Sequence, residues 1–455
     1  LSSVRPSKMG HPTLVMYVLA AVASAVVALA TSGGSGYIVQ ITDAHIDPYY
    51  AEGTSLDSRC TLGTGSAGPV GEYECDTPVS SFLTGMKALA KKYPDPAAVV
   101  FTGDAQWHAH AGTYFREYDA QDVLDSVGIV ASALSEAWPS SPILPVMGNH
   151  DNYPLDMLSV DDRGLEWLAE VSGQYKSNVP FLAQGSVMPD FEQGGYYKYD
   201  IEDTDISVIV LDSCLCDPMN FYALLDDGKQ DWGMWSWFNT TLAETRAQDR
   251  KALLAFHHPP GVIELAGIDD TLPHCDKQYE LYLNEYKDVI IGGLAGHTHT
   301  DSFRVSSTNT TSVDGDRVPG TVVWVAGAAT AYSAQNPSMR VFTYDKESYE
   351  ITDYLVYYYD LDRSNDAGVP IVEELYRARH LYSLPDMSAD SWYQLGMDLQ
   401  GTDEYLFAAY YDNFFVTADD MHPINNGYHA LLSCATTEWT MHDFGDCTNR
   451  VNPPV

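Results

Sequence analysis

Seven apolar runs of five to seven residues punctuate the chain: Tyr37–Thr42, Ala97–Thr102, Ile143–Met147, Ile206–Asp212, Ala252–Phe256, Asp288–Gly293 and Thr321–Gly327. Short continuous runs rich in Val and Ile, bounded by Gly, Pro or Asp, read as buried strands rather than as amphipathic elements. Between them, Ser80–Lys92, roughly Arg116–Ala137 and Trp232–Arg250 carry helix-compatible patterns. Strands alternating with helices predict an α/β domain over residues 35–345. Past Asp345 the texture changes. The stretch ITDYLVYYYDL predicts an edge strand, followed by a Tyr- and Asp-rich, mostly helical tail. No repeat or low-complexity linker separates the two parts, so residues 346–455 are expected to form a small subdomain packed on the main one.

Polar residues of one chemical kind sit where these runs end. Tyr37–Thr42 leads into Asp43-Ala44-His45, Ala97–Thr102 into Gly103-Asp104, and Ile143–Met147 into Gly148-Asn149-His150-Asp151. Ala252–Phe256 leads into His257-His258-Pro259-Pro260, and Asp288–Gly293 reaches Gly296-His297-Thr298-His299. Open α/β sheets gather their ligands at the carboxyl ends of strands. One Asp in such a place is commonly a helix cap, and one Gly-Asn-His a turn. Five successive ends built from imidazole, carboxylate and amide donors predict a metal centre instead. His297 and His299, two positions apart in an extended segment, share a side of the chain. Imidazole with carboxylate suits Zn, Fe or Mn, whereas Ca would show mostly oxygen ligands. Two divalent ions about 3.5–4 Å apart clamp a phosphoryl oxygen and lower the pKa of water, and one Asp between two His-rich halves would bridge them. The neighbouring glycines are expected to let the backbone approach ions and substrate closely.

Charge narrows the partners. A formal net charge of −39, with 24 scattered Lys and Arg, argues against a nucleic-acid polymer or an anionic membrane as partner. An anionic substrate would need local positive charge of the kind metal ions supply. At the N-terminus Arg5, Lys8 and His11 precede the apolar stretch LVMYVLAAVASAVVALA, which ends in Ala28-Leu29-Ala30. That order predicts a secretory signal peptide over residues 1–30, with an uncleaved anchor as the alternative. Seven cysteines fit an oxidising compartment. Cys60 with Cys75 and Cys434 with Cys447 are expected as local disulfides, while Cys214, Cys216 and Cys275 leave the count odd. Asn239 and Asn309 head sequons that a secreted protein could glycosylate.

The strand-end motifs, D-x-H, G-D, G-N-H-D, a lone His and G-H-x-H in that order, resemble those of the calcineurin-like metallophosphoesterases. TGDAQWH, FHHPPG and NPSMRVFTYD further resemble elements of the acid sphingomyelinase-like phosphodiesterases. The resemblance implies a layered β-sandwich flanked by helices. It also implies two Zn²⁺, one held by Asp43, His45 and His299, the other by Asn149, His257 and His297, with Asp104 bridging. His150 would be the catalytic acid, and His108 would contact the substrate phosphate. Asp151 would orient His150 or serve as a helix cap, the cap being preferred. His258 is expected to point away from the ions, because neighbouring side chains in an extended segment diverge. His110 and His422 are expected to be ordinary polar residues, the tryptophans Trp232, Trp235 and Trp237 core, and Asn336 and Arg340 supports from behind the site.

Two departures from the family patterns bear on function. Purple acid phosphatases carry a tyrosine ligand where this chain has Trp107, which disfavours a ferric–tyrosinate centre. Acid sphingomyelinase carries a saposin domain before its catalytic part, whereas Asp43 here follows the expected cleavage site closely. The resemblance therefore implies a secreted or lysosomal monomeric phosphodiesterase acting on soluble phosphoesters such as nucleotides, with an acidic optimum and no stable membrane partner. Sphingomyelin is the alternative substrate, and a catalytically silent metal-binding protein the remaining one. No nucleophilic Gly-x-Ser-x-Gly is present.

Overall fold

The computed structural model describes residues 34–108, 118–311, 317–418 and 427–452. The expected signal peptide, His110, His422 and the side chain of Asn309 lie outside the described residues. Sixteen strands are described: β1 Ser35–Ile41, β2 Ile46–Asp47, β3 Thr77–Pro78, β4 Ala98–Phe101, β5 Ile143–Pro145, β6 Tyr197–Asp200, β7 Ile206–Val210 and β8 Lys251–Ala255, then β9 Val262–Ile263, β10 Ile268–Asp269, β11 Ile290–Ala295, β12 Ser302–Thr311, β13 Arg317–Val325, β14 Ser338–Asp345, β15 Ile351–Tyr358 and β16 Glu373–Arg377.

Twelve of them form two six-stranded sheets, ordered β16-β15-β14-β1-β4-β5 and β12-β13-β11-β8-β7-β6. β1, β4 and β5 run parallel, as do β7, β8, β11 and β13, while the outer strands are antiparallel. The two sheets face each other through the core. Gln40 on β1 donates to Ala295 O on β11 at 2.9 Å, and the Trp324 ring on β13 lies 5.2 Å from Phe342 on β14. The apolar runs are buried except at their first residues, where Asp288 is exposed and Tyr37 and Ala97 are half-buried, because both faces are covered, one by the other sheet and one by helices. Helices Val79–Lys92, Ala120–Ala137 and Met234–Ala247 fall where the helix-compatible patterns lay.

One expectation is corrected. ITDYLVYYYDL forms β15, an interior strand between β14 and β16 rather than an edge. The short run Glu373–Arg377, too polar to read as a strand in sequence, is the edge, which suits its charged side chains. The expected boundary near Asp345 thus falls within one sheet, between two strands that pair in register. Beyond β16 the tail is helical: Ala389–Leu399, Glu404–Phe414, Gly427–Ala435 and Met441–Val451. It packs on the turn after β11 and on β12, with Asp301 N donating to Phe414 O and Val305 N to Thr436 O. No helix among the described residues is long and apolar enough to cross a membrane.

Disulfides join Cys60 to Cys75 and Cys434 to Cys447, and a third joins Cys216 to Cys275, which settles the odd count by leaving Cys214 as a buried free thiol. Asn239 is exposed on its helix, its Oδ1 accepting from the Tyr286 hydroxyl at 2.7 Å.

Candidate metal centre

Parallel β1, β4, β8 and β11 deliver their carboxyl ends to one edge of the sandwich, and β5 joins them from the side. The five turns that follow meet there. Asp43, His45, Asp104, His297 and His299 all adopt positive φ, between 39° and 71°. Left-handed backbone is uncommon for residues with a Cβ, and five instances in one place mark strain held by the surrounding fold. The glycines serve this crowding. A Cβ on Gly148 would lie 2.1 Å from Asp104 Oδ1, and one on Gly296 would lie 2.5 Å from Asp43 Oδ2. They make room for neighbouring carboxylates rather than for substrate.

The donors form two groups. His45 Nε2 and His299 Nε2 lie 3.0 Å apart, with Asp43 Oδ1 3.9 Å from the first and 3.5 Å from the second. Asn149 Oδ1 lies 2.9 Å from His257 Nε2 and 3.1 Å from His297 Nδ1. Asp104 Oδ2 reaches both groups, 3.5 Å from His45 Nε2 and 3.2 Å from His257 Nε2. Donors bound at about 2.0–2.1 Å to one tetrahedral ion stand roughly 3.3 Å apart, close to these separations.

The outer contacts fix which nitrogen faces inward. His45 Nδ1 donates to Gln106 O and His257 Nδ1 to Thr102 O, both at 2.7 Å, while His299 Nδ1 meets Tyr332 O at 3.3 Å. Each ring therefore turns its Nε2 inward. His297 is turned the other way, Nδ1 inward and Nε2 3.6 Å from Asp270 Oδ1. Carbonyl and carboxylate partners behind imidazoles are the usual surroundings of metal ligands. Although burial opposes it, the carboxylates of Asp43 and Asp104 raise the proton affinity of His45 and His257, so the inward nitrogens gather positive charge among carboxylates and the residues fit two divalent transition ions. Burial alone would raise the Asp104 carboxyl, but His257 and the surrounding imidazoles outweigh it and hold the group well below its usual range.

Several supports were not legible in the sequence. Asp156 accepts from Asn149 Nδ2 at 2.9 Å, which turns the amide oxygen toward the ions. Asp76, one residue past Cys75, accepts from His108 N at 2.8 Å and binds His108 Nδ1 at 2.6 Å. Burial and the nearby His45 push the His108 ring down to about 4 despite Asp76, so it stands neutral beside an ionised carboxylate. Arg304, fully buried, donates to the carbonyls of Pro259 and Pro260 and to Asp270 and Glu264. Asp270, behind His297, is thereby tied to the loop after His257. These partners come from remote segments without a motif.

Asp151 corrects an expectation. It is more than a cap, accepting the backbone N–H of Asp104, Ala105 and Gly148 at 2.8–3.0 Å and so clamping two ligand turns together. His258 differs too. Its ring does not leave the site but packs 4.0 Å from His297, with Nε2 3.9 Å from Asp217 Oδ2. Asn336 and Arg340 do brace from behind. Arg340 donates to Asp301, two residues past His299, and Asn336 donates to Val416 O in the tail. Trp235 is core, and Trp232 and Trp237 pack against it. Trp107 is buried and offers no phenolate.

His150 and His108 flank the first group of donors. His108 stacks on His45 with centroids 3.9 Å apart, and the His150 ring stands edge-on, 4.7 Å from His45 and 4.6 Å from His108. His150 N donates to Asp104 Oδ1 at 2.8 Å, while its Nδ1 is buried without a hydrogen-bond partner among the described residues.

The model of the calcineurin-like phosphoesterase family matches residues 36–301, more than half of the chain, and that of the acid sphingomyelin phosphodiesterase C-terminal region matches residues 317–453. The chain is 29% identical to sphingomyelin phosphodiesterase A of Dictyostelium discoideum over 83% of its own length, spanning 62% of that relative. It is 25% identical to a cyclic GMP-AMP phosphodiesterase of Homo sapiens, over 91% of this chain and 90% of that one. It is also 25% identical to the acid sphingomyelinase-like phosphodiesterase 3b of Homo sapiens, over 84% of each. The chain belongs to the calcineurin-like phosphoesterases, within their acid sphingomyelinase-like branch.

Proposed function

We propose that the protein is a secreted or lysosomal phosphodiesterase that hydrolyses soluble phosphodiesters or phosphoanhydrides, nucleotides among them. One observation carries this reading: two groups of inward-facing donors share Asp104, with two further histidines beside them that hold no place among the seven ligands. The ligands are Asp43, His45, Asp104, Asn149, His257, His297 and His299, and the N,O donor set favours Zn²⁺. When bound, such ions neutralise phosphate charge and make water a nucleophile near neutral pH.

The chain's own residues do the rest. His108, held through Nδ1 by Asp76, takes up a proton on its other ring nitrogen as the phosphate anion binds and donates it to a phosphate oxygen. His150 offers its unpartnered Nδ1 as the proton donor to the leaving oxygen. Burial keeps the His150 ring neutral, its pKa well below the ordinary range. A phosphate anion seated beside it raises its proton affinity, so the acid forms where substrate is bound. The three disulfides suit an oxidising compartment, and the protein acts as a monomer.

The test is hydrolysis of a nucleoside triphosphate and of micellar sphingomyelin at about pH 5, each with and without chelator. Chelator-sensitive cleavage of the nucleotide supports the reading, and turnover that survives complete metal removal defeats it. His150→Ala is expected to keep both metals and lose turnover, whereas Asn149→Ala loses metal as well. Sphingomyelin is the second reading, favoured by the exposed apolar side chains Met219, Phe221, Leu224 and Leu225.

A further inference from the structure

Segment Asp217–Leu225 is folded inside out. Its polar side chains point inward: Asp217 is 2% exposed, and Asn220, at 0%, donates to Leu158 O and Cys214 O, both at 3.0 Å. Its large apolar side chains point outward, with Met219 60%, Phe221 63%, Leu224 52% and Leu225 86% exposed. Single exposed apolar residues are ordinary on a protein surface. Four within seven positions, on a segment whose Asp and Asn are buried, mark an interaction surface.

The root of this knuckle lies at the metal centre. Asp217 Oδ2 is 3.9 Å from His258 Nε2, and the His258 ring packs on His297. The Cys216–Cys275 disulfide and the bond from Leu272 N to Cys216 O tie the root to the 261–275 loop, whose hairpin carries exposed Leu265 and Ile268. That loop is braced in turn by the C-terminal disulfide region, where Val262 packs with Cys434, Phe444 and Cys447. The apolar tip is therefore rigidly mounted next to the His257–His297 half of the site.

We propose that Met219–Leu225 is an interfacial anchor that inserts Phe221 and Leu225 into a zwitterionic phospholipid surface and holds the site beside it. Charge selects this occupant. The stretch DPMNFYALLDD contains no cation, and two aspartates follow Leu225 directly in a chain of net charge −39. An anionic bilayer would repel the tip, while a neutral one accepts apolar side chains without needing counter-charge. The anchor revises the expectation that no membrane surface is engaged, and its purpose, though not its binding, rests on the phosphodiesterase reading.

The test is flotation of the metal-loaded full chain with phosphatidylcholine vesicles, repeated with vesicles containing phosphatidylserine. The wild type is expected to float with the former and less with the latter. The double variant Phe221→Asp/Leu225→Asp should cut the bound fraction at least tenfold. Val369→Asp, an exposed apolar site elsewhere, should leave it unchanged. Hydrolysis of bis(p-nitrophenyl) phosphate by the double variant at the wild-type rate shows that its fold is intact. Absence of wild-type flotation, preference for the anionic vesicles, or retained flotation by the double variant would overturn the proposal. So would a wild-type dimer in sedimentation that the double variant abolishes, since the patch would then be covered by a second copy. Flotation as expected with no hydrolysis by either protein supports the anchor and defeats the phosphodiesterase reading.

Discussion

His45 Nε2 and His299 Nε2 face each other at 3.0 Å, and the opposite nitrogen of each ring meets a backbone carbonyl, Gln106 O and Tyr332 O. Although burial opposes it, Asp43 and Asp104 raise the proton affinity of His45, so a proton and a metal ion compete for this place and metal binding adds to the stability of the folded state. Metal removal should therefore destabilise the protein. A site saturated a thousandfold over its Kd contributes about 4 kcal/mol. Exhaustive chelation is expected to lower the melting temperature by several degrees, and added Zn²⁺ to restore it. Calorimetry with and without chelator checks this, and an unchanged melting temperature would contradict the coupling.

Asp151 holds the turns of Asp104 and Gly148 with three backbone hydrogen bonds. Asp151→Ala strands three buried N–H groups, each costing about 1–3 kcal/mol. The expected outcome is a loss of several kcal/mol in stability, with metal affinity reduced about 10–100-fold as for other outer partners of ligands. Metal content by mass spectrometry, beside denaturant unfolding, measures both. Asp156→Ala acts more narrowly. It frees the Asn149 amide to turn, and should weaken metal binding with little change in stability.

The seven proposed ligands were legible as candidates because each stands at the end of an apolar run, where strand geometry and sheet topology fix its position. Partners such as Asp76, Asp156, Asp270 and Arg304 were not, since each lies on a loop or strand with no pattern of its own. Their meaning appears only when folding brings residue 304 to residues 259 and 270. The β15 error has the same origin. Aromatic alternation in ITDYLVYYY signals a strand, but neighbours on both sides depend on the polar run Glu373–Arg377 pairing beyond it. His258 was misplaced because i and i+1 divergence holds in a strand, and β8 ends at Ala255 before that dipeptide.

Arg304 pairs with both Asp270 and Glu264, all three fully or almost fully buried. Removing one partner of a buried ionic group leaves the other charges uncompensated, at a cost of about 3–5 kcal/mol. Arg304→Met should destabilise by that amount and also release the Pro259-Pro260 carbonyls it holds. Because those prolines follow His257, turnover should fall further than stability alone explains. Steady-state kinetics well below the melting temperature separate the two effects, and Arg304→Lys should recover only part because it lacks the fork.

Stability should rise as pH falls from about 8 to 5. Burial pushes the Asp212 carboxyl up to about 7 and the Asp217 carboxyl up to about 8, from an ordinary value of 3.8. The folded state therefore binds protons that the unfolded chain releases throughout this window. The contribution is fully present below the unfolded value and is lost as pH rises through the folded one. The metal ligands work in the opposite direction, since protonating them expels the ions. The buried neutral rings of His108, His150 and His258 also oppose the rise below about pH 6.5, so the two carboxyls are isolated by comparing melting curves at saturating Zn²⁺, from pH 8 down to pH 5, with those of a variant lacking both. A higher melting temperature at pH 5.5 than at pH 7.5 is expected, and Asp212→Asn with Asp217→Asn should flatten the difference, because neither amide titrates. The same pH dependence in the double variant as in the wild type, with metal retained, would show that neither carboxyl takes up a proton on folding.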